Sequence, residues 1–78
     1  MPRYFFHIFN DEIVIDKEGS ELPDINRARE KAISGARSLI CQSVENGHLN
    51  LNHRLEVCDE GDTRLFTLTF REAFRLEG

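Results

Sequence analysis

Five side chains in this sequence have the chemistry to hold a metal ion or to serve as a nucleophile and its base: His7, His48, His53, Cys41 and Cys58. Zinc sites in small domains draw their ligands from closely paired positions, and neither C-x-x-C nor H-x-x-x-H occurs here. His53 and Cys58 lie five positions apart, so on a strand they face opposite ways. No metal and no cofactor is therefore expected. A thiol nucleophile would require Cys41 or Cys58 beside His7. Neither cysteine sits in a nucleophile turn, and both occupy places typical of an inert small hydrophobe. The acidic stretch "DEIVIDKEGSE" does not spell the D-x-[DN]-x-[DN]-G calcium loop. General acid–base work needs two carboxylates in a cleft, whereas a solvated turn accounts for these. The five glycines are scattered and form no phosphate cradle. The expectation is no catalytic residue, no small-molecule ligand and no enzymatic activity.

These side chains are positioned by elements that the pattern of apolar residues predicts. Aromatic enrichment makes residues 3–9 a strand, and "EIVID" (12–16) a second strand joined through a tight Asn10-Asp11 hairpin. "KEGSELPD" interrupts the pattern. Ile25, Ala28, Ala32, Ala36, Leu39, Ile40 and Val44 then recur at helical spacing, which predicts one long helix over about 24–46, with Asp24 as N-cap and Gly47 past its end. Its other face carries Arg27, Glu30, Lys31, Ser34, Arg37 and Ser38, a solvated surface. A third strand places Leu55 and Val57 on one side and Arg54, Glu56 and Cys58 on the other. Asp59-Glu60-Gly61-Asp62 forms a turn in which Gly61 is free to take a positive φ. Residues 63–70 give a fourth strand with Phe66, Leu68 and Phe70 inward, after which Phe74 and Leu76 return to the core. The predicted architecture is α+β, ββαββ, with the helix on one face of an antiparallel sheet. Tyr4, Phe6 and Ile8 join the helix side. That leaves Phe5, His7 and Phe9 on the other face, without an obvious cover.

With 78 residues, 40% apolar and 31% charged, the chain reads as one globular domain, 1–78. Its net charge of −4 opposes non-specific nucleic-acid binding. No run reaches the ~18 apolar residues of a membrane span. The N-terminus does not read as a signal peptide, and two unpaired cysteines suit the cytoplasm.

"MPRYFFHI" at the start, "GSELPD" before the alanine-rich helix and "LTFREA" near the end carry a resemblance. On these residues the chain resembles a family of small uncharacterised bacterial proteins, a domain of unknown function common in rhizobia and their relatives. The resemblance spans nearly the whole chain and implies a single αβ domain with no established activity. Two cysteines and the polar "NGHLNLN" depart from the pattern. The chain is more distantly similar to antitoxins of the HicB kind, although those have three strands before the helix and two are predicted here.

Exposed aromatic rings on a sheet face usually mark a protein contact. The expected function is therefore a non-catalytic protein-interaction module, a homo-oligomer or a binder of another protein, using Phe5, His7 and Phe9 on the face or edge that carries strand one. Two alternatives remain: a single-stranded nucleic-acid binder stacking bases on these aromatics, with Arg3, Arg54, Arg64 and Arg71 as a basic rim, and an antitoxin-like regulatory protein.

Overall fold

A computed structural model describes all residues, 1–78. The elements are β1 (Arg3–Phe9), β2 (Ile13–Val14), β3 (Ser20–Glu21), α1 (Ile25–Glu45), β4 (Arg54–Cys58), β5 (Arg64–Thr69) and a 3-10 turn, Phe70–Ala73. One helix packs on an antiparallel sheet of order β2-β1-β4-β5, with β3 also paired to β1. The predicted α+β class holds, with one extra short strand. No helix is long and apolar enough to cross a membrane.

The helix follows its sequence closely. The Asp24 carboxylate accepts the Arg27 N–H at 3.0 Å and caps the first turn. Gly47, at φ +78°, sits beyond the Asn46 C-cap in the left-handed conformation that ends many helices. Ala28, Ala32 and Ala36 are fully buried along one stripe and let the helix axis approach the sheet closely. They divide between two small clusters. Ala36 and Ile40 meet Leu55, Phe70 and Ala73, while Ala28 and Ala32 meet Tyr4 and Val57. Phe6 and Ile8 pack at the margins of these clusters, so the helix side of β1 is the predicted one. Arg37 Nε donates to the Ala73 carbonyl at 2.7 Å and ties the 3-10 turn to α1.

Several expectations need correction. Strand one is not an edge: β4 lies along one side and β2 and β3 along the other. The second strand is only Ile13–Val14, because residues 15–19 leave the sheet plane before pairing resumes at Ser20–Glu21. Three strands thus precede the helix, so strand count no longer separates this chain from the antitoxins; a fold-level likeness carries no function. Val44 is 59% exposed and Leu76 78% exposed, since α1 outruns the sheet and the C-terminus turns away from it. The buried residue near the C-terminus is Ala73 instead. In the β4–β5 turn the positive φ belongs to Asp62 (+62°) and not to Gly61. The cause is a register shift: Val57 pairs with Phe66 but Cys58 pairs with Arg64, so Leu65 is an extra residue that re-aims the turn.

Candidate functional site

The face of the sheet away from α1 carries Phe5, His7 and Phe9 from β1, and Arg54, Glu56 and Cys58 from β4. The register sets Phe5 against Cys58, His7 against Glu56 and Phe9 against Arg54. The chain itself covers much of this face. The Arg54 guanidinium lies 4.4 Å from the Phe9 ring centroid and is also bonded to Glu56 at 2.9 Å. Residues 15–19 arch over Phe5 and His7. At Gly19 the backbone comes so close that an added Cβ would sit 2.9 Å from Phe5 Cε2, and its φ of +72° suits glycine.

Asp16 is the keystone of the arch. Between β2 and β3, β1 loses its backbone partner on that side. The Asp16 carboxylate takes over, accepting the Phe6 N–H at 3.1 Å. Its other oxygen accepts the N–H groups of Glu18 and Gly19, at 3.1 and 3.0 Å. Burial alone would raise this carboxyl. The bonds from Gly19, Phe6 and Glu18 outweigh burial and hold it below the ordinary carboxylate range.

The Asp16 N–H donates to His7 Nδ1 at 3.0 Å. That atom therefore carries the lone pair, and the hydrogen of the neutral ring sits on Nε2. His7 is only 9% exposed, and no hydrogen bond engages Nε2. The ring lines an open cavity of about 670 Å³ whose walls include Phe5, Ile15, Glu56, Cys58, Asp62 and Arg64. Cys58 is buried with its thiol free. Burial pushes that thiol up; the carboxylates of Asp62, Glu56 and Asp59 add to the effect, and Arg64 offsets part of it.

A ring nitrogen of His7, the sulfur of Cys58 and a carboxylate oxygen of Asp62 all lie within 4.8 Å of one another. His7 and Cys58 were both legible as candidate ligands, but their convergence was not, because strand order is not written in either segment. Asp62 was read only as a turn residue. Its approach depends on the Leu65 bulge and on a left-handed backbone that its own sequence does not announce. Asp59, by contrast, is used by the turn, accepting the N–H groups of Gly61 and Thr63. Cys41 is exposed on α1. His53 stands at the other end of β4, edge-on to Phe70 with centroids 5.5 Å apart, and its Nε2 is 3.5 Å from Asp11. Its buried Nδ1 has no partner.

The fold and this face define a small α+β domain whose sheet is covered by a helix on one side and only by a short arch on the other. The chain belongs to the family described as "Domain of unknown function (DUF6894)", which matches residues 3–71. No curated protein and no solved structure matches it.

Proposed function

We propose that this chain is a non-catalytic protein-interaction module that pairs with a second copy of itself through the far face of its sheet, at the β1–β2 end. The observation that carries the reading is the exposed pair Ile13 and Ile15, at 68% and 51%; Val14 between them pairs with Ile8 and lies on the helix side. Ile13 pairs with Phe9, so the two share the far face. Phe5 and Phe9 are half-buried there, with His7 beneath the arch. Arg54, stacked on Phe9, borders the patch on the β4 side.

The shape of the chain supports the same reading. Only 11 of 78 residues are buried. The accessible surface is 5439 Å² for a 9.1 kDa chain. A monomer of this mass typically exposes about 4,900 Å². The radius of gyration is 12.7 Å, where roughly 11.5 Å is usual for the length. The two unpaired cysteines support the reading of a module that works in a reducing compartment such as the cytoplasm.

Single-strand nucleic-acid stacking finds less support. His7 is buried, Arg54 lies over Phe9, and Glu56, Asp59, Glu60 and Asp62 make the neighbouring cavity acidic.

Light scattering on the eluting peak of a sizing column tests the proposal. At roughly 100 μM, well above the dissociation constants of typical specific pairs, the wild type is expected at twice the chain mass and Ile13→Glu at the chain mass. A wild-type monomer, or an Ile13→Glu dimer, overturns this surface as the contact.

A further inference from the structure

We propose that His7, Cys58 and Asp62 form a binding site for a divalent transition-metal ion of the zinc and cobalt type. Two observations converge on it. The three ligand atoms come from β1, the end of β4 and the following turn, and lie within 4.8 Å of one another. Cys58 and His7 both line the open cavity, and no protein group bonds the sulfur or His7 Nε2, which faces that solvent-filled space.

The donor set selects the ion. Thiolate and imidazole favour zinc and its neighbours over magnesium or calcium, and three protein ligands leave a fourth position for water.

His7 makes the site conditional. A histidine that ligates through Nε2 must carry its hydrogen on Nδ1, usually donating it to an acceptor. Here Nδ1 accepts from the Asp16 N–H. Filling the site therefore moves the ring hydrogen, through water, from Nε2 to Nδ1 and sets two donors against each other. The Cys58 S–H proton passes to solvent and a metal–sulfur bond forms. Asp62 enters already ionised, so one proton is released per ion and nothing is oxidised or reduced. Metal uptake is thereby coupled to release of the arch at residues 15–19.

Titration of the reduced full chain with cobalt(II) alone, followed by zinc competition, tests the site. The expected result is a near-ultraviolet sulfur-to-cobalt charge-transfer band that saturates at one equivalent and is quenched by zinc. Cys41→Ser should leave the band unchanged and Cys58→Ser should abolish it. Asp62→Gly fits the positive φ, so it keeps the fold while weakening binding by about tenfold or more, the loss typical when a metal site is stripped of a supporting group. Zinc should also speed hydrogen exchange at the Asp16 amide. No band in the wild type, a band that survives Cys58→Ser, full affinity in Asp62→Gly, or an Asp16 amide indifferent to zinc overturns the proposal. Because the site lies within one chain, the cobalt titration reads it independently of whether the protein dimerises.

Discussion

Asp16 does the work of a missing strand. One oxygen replaces the backbone carbonyl that β1 lacks at Phe6, and the other pins Glu18 and Gly19. Hydrogen bonds to an ionised group contribute about 1.5–3 kcal/mol each when shielded and less at a half-exposed site. Asp16→Ala should therefore lower stability by about 2 kcal/mol in urea unfolding. Because the folded carboxyl sits below its ordinary value, this stabilisation is complete above the unfolded pKa of about 4 and is lost as pH falls through the folded one. Melting curves between about pH 6 and pH 2 should show wild type and Asp16→Ala converging in acid. Parallel curves would mean that the carboxylate's charge is irrelevant. Gly19 complements Asp16. An alanine there meets Arg3 Cγ at 2.8 Å and Phe5 Cε2 at 2.9 Å, at φ +72°. Gly19→Ala should cost about 1–3 kcal/mol, seen as a shifted urea midpoint with an unchanged slope.

The elements differ in how much of their form is local. The helix was readable from 24 to 46 because its cap, its alanine stripe and its terminal glycine are adjacent in sequence, and it runs from Ile25 to Glu45 with those caps in place. Gly35 is the one position in its interior that spends helix propensity without need. Its φ is ordinary, and an added Cβ would meet only Leu55 Cδ2 at 3.9 Å, a normal contact. Gly35→Ala should stabilise by about 0.5–1 kcal/mol, a rise in Tm of roughly 2–8 °C by calorimetry. The β2–β3 region was less legible. "EIVID" has strand composition throughout, yet only Ile13–Val14 pairs. Composition records that a residue tolerates the extended form; it does not record that the Asp16 side chain will occupy the place of a backbone partner. The same limit hid Asp62, which lies in the turn just before the extra residue Leu65.

At the scale of the whole molecule, the chain is thin, 40 × 24 × 16 Å, with two small clusters in place of one broad core. A fold with so little buried gains stability by association. Tm should accordingly rise with protein concentration in the wild type and stay flat in Ile13→Glu, a check on the dimer that needs no size measurement. By itself the sequence determined that the chain forms one α+β domain. It also determined where the long helix begins and ends; Tyr4, Phe6 and Ile8 were only the more apolar choice for the helix side, which the packing of α1 then fixed. Periodicity and capping act within a few residues and are written in composition. Only the tertiary structure decided that β1 lies inside the sheet, that residues 15–19 close over His7, and that Cys58 and Asp62 meet it. Those facts follow from strand order, one bulge and one side-chain-for-backbone substitution, all set by contacts between distant segments.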